Sequence, residues 1–436
     1  MAISKIINLL RSEKMMSVLF SFGIKGGSAF FGFVTIIYLT NTMLVSEFGY
    51  LSYCLSLVNI ILMLCSFGQS SLIIRQTARS IAENVSYSGL LPKALSFSFF
   101  LAVICICFTI FSLFFFPSQR VGIQIFLIVA ISVPAMVFCR LVSASLQGQY
   151  KIRAGQMVDE FQRPAFFLFF YGCANIWLYN TMTSQNAALV FFIANVVASI
   201  VAYLVYKRLS GEKSVFQLKF PERQWQNQAF PFFIATSVTF INQETDVLML
   251  GALGSMDDVG LYKPSQKIVF LLSFVLYATN VIVQPKIAAA YTKKDVDALW
   301  RNLRWACRIV SLMALPLIII ITLLSDHLLG VFGEGYVKTQ ETLFILITAH
   351  SFNVFIGGMA GSLLNMTQYQ KITSISLFVS LIVNVLMNAL LIPHLGIKGA
   401  AIATLCSFIV WTTTQAYYSW KKLGLYPFLF WCFRKN

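Results

Sequence analysis

The sequence predicts an all-α polytopic membrane protein with twelve transmembrane helices in two six-helix halves. The first supporting observation is composition: 58% of the 436 residues are hydrophobic and 11% are charged, whereas soluble globular domains carry about 25% charged residues. The second is a series of twelve apolar runs, each about as long as a bilayer-spanning helix. The third is a pair of short motifs that return in the second half of the chain. Together these observations exclude a soluble globular protein.

Six apolar runs precede the middle of the chain and six follow it. The first set lies near residues 16–40, 48–70, 94–116, 121–145, 163–181 and 186–206, and the second near 229–253, 264–285, 302–325, 341–364, 372–392 and 397–420. A spanning helix needs about 20 mostly apolar residues, and each run supplies roughly that number. We therefore assign residues 16–206 to an N-terminal half and 229–420 to a C-terminal half, joined by a polar cytoplasmic linker at 207–228.

The chain ends and the basic residues set the orientation. Residues 1–15 predict an interfacial amphipathic helix, because their apolar residues recur at helical spacing among basic ones, and residues 421–436 predict a cytoplasmic tail. Counted by loop, 26 of the 32 Lys and Arg residues fall on the side of the two termini, which the positive-inside rule places in the cytoplasm. Much of the net charge of +16 is thus topological, and no nucleic acid partner is expected.

Two motifs indicate that the halves arose by duplication. The residues EFGY at 47–50 match DVGLY at 258–262, and SLQGQYKI at 145–152 resembles LNMTQYQKI at 364–372. Both pairs occur in the same order and at nearly equal offset. An even number of spans per repeat gives parallel repeats, and transporters built in this way bind substrate between the halves and alternate access. The repeats therefore favour a transporter over a receptor or a structural protein.

Lys25 is the most informative intramembrane residue. It lies about ten residues into the first predicted helix, where an isolated ammonium is costly unless it faces a wet cavity or a partner. Snorkelling to the inner headgroups is the alternative, but Lys25 is deep for that reach. We expect it to bind an anionic substrate.

Five further cations are candidates for the same role. Lys267 lies one turn into the eighth predicted helix, Arg304 and Arg308 share a face of the ninth by their spacing, and Arg140 and Arg163 lie near the inner ends of the fourth and fifth. They are either ordinary inner-leaflet anchors, with Lys267 snorkelling at the outer side, or parts of a cationic funnel. In a low-dielectric cavity such groups would attract pyrophosphate strongly.

Acids and neutral oxygens in the second half suggest ion coupling. Glu244 and Asp246 lie in the seventh predicted helix, where acids either pair with bases or bind H⁺ or Na⁺. Asn384, Asn388 and Thr404 offer the uncharged oxygens that a sodium site needs, although interhelical hydrogen bonding is the simpler explanation of them. No cofactor and no other metal site is expected, because the three His residues are scattered and no CxxC or HExxH motif occurs.

Three segments resemble one family. Residues 47–79, 229–270 and 312–336 resemble the matching stretches of Wzx-type polysaccharide flippases, in the multidrug/oligosaccharidyl-lipid/polysaccharide exporter (MOP) superfamily. The segment 229–270 is the most specific, with its intramembrane Asp246 and the Lys267 that follows a Gly and Tyr turn. The resemblance extends from about residue 15 to about residue 420.

The resemblance implies a V-shaped bundle around a central cationic cavity that moves undecaprenyl-pyrophosphate-linked oligosaccharide, such as an O-antigen unit, to the periplasmic leaflet of the bacterial inner membrane. By position, Lys25 and Lys267 match basic residues of the family's first and eighth helices. Implied partners are membrane lipids and the polymerase and chain-length regulator of the same pathway. Two alternatives stay open: a drug or cation antiporter of the same superfamily, and a polysaccharide polymerase or ligase, which would need a larger outer loop.

Overall fold

The computed structural model describes residues 13–115, 120–178, 182–210, 220–428 and 431–434, and nearly all of them are helical. The chain divides into two compact units: unit 1 comprises Met1–Phe240 and unit 2 comprises Ile241–Asn436. The division falls inside one long helix, later in the chain than the predicted linker. We describe each unit by itself.

The described residues of unit 1 form nine helices, a short π-helix and the first part of a tenth helix. These are α1 (Glu13–Thr42), α2 (Val45–Ser66), α3 (Gln69–Ala82), α4 (Leu90–Phe115), α5 (Arg120–Ala130), α6 (Val133–Gly148), α7 (Ile152–Gln156), the π-helix (Met157–Phe161), α8 (Gln162–Trp177), α9 (Ser184–Ser210) and α10 (Arg223–Leu253). Its core contains fully buried aromatic side chains, among them Tyr171, whose hydroxyl lies 2.7 Å from that of Thr42.

Unit 2 contains the rest of α10, seven further helices, two short non-α turns and a hairpin. These are α11 (Met256–Thr292), α12 (Val296–Leu323), α13 (Ser325–Gly330), a 3₁₀-helix (Glu334–Thr339), α14 (Gln340–Phe352), a π-helix (Asn353–Gly357), α15 (Gly358–Asn365), α16 (Gln370–Leu395), α17 (Ile397–Leu423), β1 (Leu425–Phe428) and β2 (Trp431–Arg434).

Local sequence signals explain several helix ends. The capping box at the start of α11 joins Ser255 and Asp258, each side chain accepting from the other's backbone N–H, which satisfies two donors that the helix leaves open. Between α2 and α3, Gly68 has a φ of +70°, and a Cβ there would lie 2.4 Å from the carbonyl oxygen of Ala229. Only glycine fits this turn, because it combines a left-handed backbone with close contact to α10.

Nine helical stretches within the described ranges are long and apolar enough to cross a membrane. They are Gly23–Thr42, Val45–Ala82, Leu90–Phe108, Gly122–Gly148, Ser184–Ser210, Met256–Thr292, Val296–Leu323, Glu334–Asn365 and Gln370–Leu423, of which the last contains both α16 and α17. The predicted run at 229–253 lies on α10, and the described part of the run at 163–181 lies on α8 and the residue that follows it. Neither helix is among the nine: α8 has only 16 residues, and α10 is less apolar because it carries the polar stretch NQETD at 242–246.

The termini and the linker differ in detail from the sequence prediction. Of the predicted interfacial helix, residues 1–12 lie outside the described residues, and 13–15 continue directly into α1. The linker 207–228 is helical at both ends, while 211–219 lie outside the described part. The expectation of an all-α chain is wrong for the tail: β1 and β2 pair antiparallel, with Leu425 opposite Arg434. Gly424 ends α17 in a left-handed conformation, and the aromatic residues beyond it favour strands.

Candidate functional site

Five charged side chains from four helical elements meet inside unit 1. They are Lys25 of α1, Arg140 of α6, Asp159 and Glu160 of the first π-helix, and Arg163 of α8, and we call them the basic cluster. Three cations and two anions leave this cluster with a net charge of +1. It brings together three of the six predicted substrate-binding cations.

Within the basic cluster the two acids have different partners. Asp159 accepts from Arg163 Nη1 at 2.9 Å, and its other oxygen lies 3.8 Å from Arg140 Nε. Glu160 pairs with the Lys25 ammonium at 3.4 Å. Arg163 Nε also donates to Asn195 Oδ1 at 3.0 Å, which fixes the guanidinium from the side of α9. Neighbouring carboxylates thus contact different helices.

The π-helix places those two acids. Its wider turn inserts an extra residue relative to an α-helix, and such turns occur frequently at functional sites. The turn is anchored to α1, because Ser28 Oγ donates to the Glu160 carbonyl oxygen at 2.6 Å. Phe161 packs edge-on against Phe31, with ring centroids 5.2 Å apart. A Cβ on Gly27 would lie 2.8 Å from the Phe161 ring, so the small residue permits the close approach.

A cavity of about 200 Å³ adjoins the basic cluster inside unit 1. Its charged lining residues are Arg140, Asp159 and Glu160, and its hydroxyl and amide lining comes from Ser66, Ser70, Ser71, Ser143, Gln147 and Thr236. The Arg140 guanidinium lies 5.4 Å from the centroid of the Phe240 ring, a cation–π distance. Polar groups of this kind can bind sugar hydroxyls or an anionic headgroup.

A second polar group, the Asp246 cluster, lies inside unit 2 and consists of Asp246, Tyr262, Asn384, Asn388 and Thr404. Asp246 is 5% exposed, and Asn384 and Asn388 donate to its Oδ1 at 3.1 and 3.0 Å. Its Oδ2 accepts from the Tyr262 hydroxyl at 2.8 Å and from Thr404 Oγ1. The structure therefore places three predicted ion-coupling residues, Asn384, Asn388 and Thr404, around the carboxylate of a fourth, Asp246.

Within the described residues, all four hydrogen-bond donors to this carboxylate are neutral. A buried charge without a counter-charge is costly. Asn388 Oδ1 is buried beside it without a hydrogen-bond partner in the described part of the chain. The carboxylate, amide and hydroxyl groups of this cluster carry hard oxygen atoms, the ligand type that small cations prefer, although both amides here turn their NH2 groups to Asp246.

The other predicted site residues belong to unit 2 and make their described contacts with other partners than Asp246. Lys267 lies beside Phe270, with its Nζ 5.7 Å from the ring centroid, and Glu244 pairs with Lys263 at 3.7 Å. Neither contacts Asp246. The Arg304 guanidinium lies 3.2 Å from the centroid of the Trp300 ring, and Arg308 is exposed. Their shared face on α12 therefore does not bring these arginines to a common contact.

Sequence reasoning missed Asp159, Glu160 and Tyr262. The two acids directly precede a predicted span, in a segment read as an inner loop, and nothing in the sequence predicts a π-turn there. One signal was present: a carboxylate four residues before Arg163 can pair with it. Tyr262 was noted only as part of a turn.

Comparison with known proteins identifies the family. The family model described as "Polysaccharide biosynthesis protein" matches residues 15–290, and that described as "Lipid II flippase MurJ" matches residues 165–435. Each match covers more than half of the chain. The chain belongs to the polysaccharide flippase family of the MOP superfamily. Membership of this family indicates a transporter and not an enzyme, which removes the polymerase or ligase alternative.

Individual relatives are distant. "Probable low-salt glycan biosynthesis flippase Agl15" of Haloferax volcanii is 24% identical over 194 residues, and an "Uncharacterized membrane protein" of Haemophilus influenzae is 22% identical over 180 residues. The matches cover 43% and 40% of this chain. The chain spans about two fifths of the length of these curated relatives, 40% and 44%.

Solved structures share the fold. An inward-facing multidrug resistance MATE family transporter of the MOP superfamily aligns with a TM-score of 0.73 at 15% identity, covering 89% of this chain and 94% of that one. The lipid II flippase MurJ in an inward closed conformation aligns at 0.65 with 13% identity, covering 88% and 86%. This transporter and this flippase therefore share the helical fold of the chain.

Proposed function

We propose that this flippase moves undecaprenyl-pyrophosphate-linked oligosaccharide, such as an O-antigen repeat unit, from the cytoplasmic to the periplasmic leaflet of the bacterial inner membrane. The observation that carries the proposal is the basic cluster: three cations and two anions, with a net charge of +1, inside the helices of a flippase-family member. Ammonium and guanidinium groups that are partly removed from water bind phosphate oxygens strongly. The proposed arrangement is twelve spans with both termini in the cytoplasm.

In this mechanism the pyrophosphate binds at Lys25 and Arg140 while the sugars contact the hydroxyl and amide groups of the adjoining cavity. The polyprenyl chain stays in the lipid, because burying about 55 carbons of tail inside a polar cavity would forfeit its hydrophobic transfer energy. Alternating access then exposes the headgroup to the opposite leaflet. Membrane lipids and the polymerase and chain-length regulator of the same pathway are the proposed partners.

The test is the fate of the lipid-linked repeat unit in a deletion strain. The labelled unit is expected to accumulate in the cytoplasmic leaflet, protected from an added periplasmic glycosidase, and surface polysaccharide is expected to be lost. Expression of the intact chain should reverse both effects. If single repeat units instead reach the periplasmic leaflet at the normal rate, the flippase proposal fails.

We further propose that Na⁺ binds at the Asp246 cluster and supplies the counter-charge for the buried carboxylate. The support is the lone charge of Asp246 together with the unpartnered acceptor Asn388 Oδ1. Asp246, Asn388, Asn384 and Thr404 would hold the ion, and Tyr262 would orient the carboxylate. Proton coupling at Asp246 is the alternative driving reaction, and a response to acid in place of Na⁺ would favour it.

A drug or cation antiporter is the second candidate, favoured by the two carboxylates that line the unit 1 cavity. In such a protein Asp159 and Glu160 would bind a cationic substrate directly. The deletion strain separates the candidates, because an antiporter deletion should raise sensitivity to cationic drugs and leave surface polysaccharide normal.

A further inference from the structure

The two neighbouring acids of the basic cluster are held to different degrees. Asp159 contacts two guanidiniums and its side chain is 16% exposed. Glu160 contacts one ammonium, and the Glu160 and Lys25 side chains are 33% and 29% exposed. A partly open Lys–Glu pair contributes little to stability. Lys25 can therefore leave Glu160 at small cost, whereas Asp159 is fixed by Arg140 and Arg163.

The backbone of Glu160 is docked independently of its side chain. Ser28 Oγ holds the Glu160 carbonyl at 2.6 Å, and the next residue, Phe161, packs against Phe31 and Gly27 of α1. Breaking the Lys25–Glu160 ion pair thus leaves the π-helix attached to α1. The carboxylate is free to change partner without local unfolding.

The charge of the basic cluster shows why a change of partner at Lys25 would help to bind a pyrophosphate. The cluster has a net charge of +1, while a pyrophosphate diester carries about two negative charges near neutral pH. If Lys25 stayed paired with Glu160, little positive charge would remain for the second phosphate. If the Lys25 ammonium leaves Glu160 and pairs with the phosphate, one more positive charge contacts the ligand. Glu160 then faces the water-accessible cavity that it already lines.

We propose that Glu160 is an exchangeable counter-ion for Lys25. Glu160 pairs with Lys25 before substrate arrives, yields it to the substrate pyrophosphate, and takes it back as the substrate leaves. Asp159 keeps Arg140 and Arg163 in place throughout and is a positioning residue. This inference rests on the proposed function, because it names the residue that tunes headgroup affinity at the same site.

The experiment measures binding of undecaprenyl pyrophosphate, used without sugars, to the purified full chain in nanodiscs. Glu160→Gln removes the competing carboxylate but keeps the side-chain shape, so we expect its Kd to fall about fivefold, the ratio that corresponds to a weak ion pair. A purely structural lesion would raise the Kd. In cells the same variant should export less polysaccharide, because release becomes slower.

Two variants serve as matched controls. Glu83→Gln also removes one negative charge and one ion pair, that with Arg79 at 2.8 Å, but lies outside the basic cluster, so its Kd should stay within about twofold of wild type. Asp159→Asn should lower the melting temperature and should not tighten binding, because it releases the two arginines from their fixed positions.

A second background tests the exchange itself. In Lys25→Met protein, Glu160→Gln should leave the Kd unchanged, since no ammonium remains to be released. Equal tightening with and without Lys25 would overturn the exchange and reduce Glu160 to a source of general repulsion. An unchanged or raised Kd for Glu160→Gln alone would also overturn it. If wild-type protein fails to bind the probe at all, the proposed function fails with it, whereas normal wild-type binding with no response to Glu160→Gln defeats only the exchange.

Discussion

The basic cluster of unit 1 and the Asp246 cluster of unit 2 place charge inside helices in opposite ways. In unit 1, three cations face two carboxylates, all five side chains are partly exposed, and three of them line a cavity. In unit 2, one carboxylate is 5% exposed and is held by four neutral donors. The first arrangement is open and mutually paired, whereas the second is closed and holds a carboxyl group without a basic partner among the described residues.

This difference indicates two kinds of ligand. A cluster of paired ions can exchange one partner for an incoming anion, because each cation keeps a counter-charge before and after the exchange. A single buried carboxylate gains most from a small cation, because no other charge in the described residues balances it. A flippase that uses both would bind substrate in unit 1 and its driving ion in unit 2.

The largest expected effect is that of Asp246→Asn. Wild-type melting temperature should rise with NaCl but not with KCl at constant ionic strength, because ligands that bind the folded state stabilise it. The variant should lose this response, since replacing a charged acceptor weakens ion binding by about 2 to 3 kcal/mol, up to about a hundredfold. Glu244→Gln, which also neutralises an acid on α10 and disrupts its pair with Lys263, is the control. A normal Na⁺ response in Asp246→Asn would show that the Asp246 cluster is not the Na⁺ site, and the proposed division of ligands between the two clusters would fail.

Next in size is Lys25→Ala. Surface polysaccharide should fall to the level of the deletion strain, with membrane insertion unchanged, because the ammonium that meets the phosphate is gone. Lys25→Arg should retain export, since it keeps the charge and adds a bidentate fork. The measurement is surface polysaccharide at matched expression. Normal polysaccharide in a fully expressed Lys25→Ala strain would show that unit 1 does not bind the headgroup through this residue.

Asn388→Ala should reduce Na⁺ affinity by about tenfold. Losses of this size are typical when a residue that hydrogen-bonds to a metal-binding carboxylate is removed. It removes one donor to Asp246 and the buried, unpartnered Oδ1. The Na⁺ concentration at half-maximal thermal shift gives the result. Ser380→Ala is the matched control on α16, because Ser380 donates to the Ser407 carbonyl at 3.0 Å and not to the carboxylate. An equal shift in both variants would mean that general helix packing, not the Asp246 cluster, sets the affinity.

The close approach of α1 and the π-helix can be tested with two glycines. Gly27→Ala places a methyl 2.8 Å from the Phe161 ring and should cost about 1 to 2 kcal/mol of stability through overpacking. Gly23→Ala meets nothing within 4 Å and should be neutral or slightly stabilising, because alanine is the better helix former. Chemical denaturation in detergent measures both. Equal effects would show that α1 does not need the small residue.

The smallest effect should come from Arg308→Gln. Arg308 is exposed and outside both clusters, so we expect export to change by less than about twofold, as for most surface substitutions. Arg140→Gln, which removes a partner of Asp159, should reduce export much more. A loss in Arg308→Gln comparable with that in Lys25→Ala would return Arg308 to the substrate-binding residues.

Sequence alone predicted the helical segments and most of the polar residues in the two clusters, for a physical reason. Apolar runs reveal helices in lipid, and a polar residue inside such a run is costly enough to attract notice. Asp246, Asn384 and Asn388 were found in this way. Their convergence was not predictable, because the hydrogen bonds join residues 138 and 142 positions apart.

The same reasoning failed where charge lies at the edge of a run. Asp159 and Glu160 adjoin Arg163, and a charged segment beside an apolar one is typical of an inner loop. Lys25 was predicted to need a partner or a wet cavity, but its partner could not be named. For Arg304 and Arg308, the shared helical face could be predicted but not the groups opposite, since spacing along one helix says nothing of its neighbours.

The first π-helix has a consequence for how this family member could have acquired its second carboxylate. An extra residue in an uninterrupted α-helix rotates everything after it by about 100°. A π-turn takes up the extra residue locally, so a single-codon insertion absorbed in this way can turn an adjacent side chain towards a new neighbour while the following helix keeps its orientation. Asp159 and Glu160 stand at such a position, one contacting Arg140 and Arg163 and the other Lys25. A one-residue deletion within Met157–Phe161 would reverse that step, and related chains of slightly different length could therefore differ in headgroup affinity while sharing every helix.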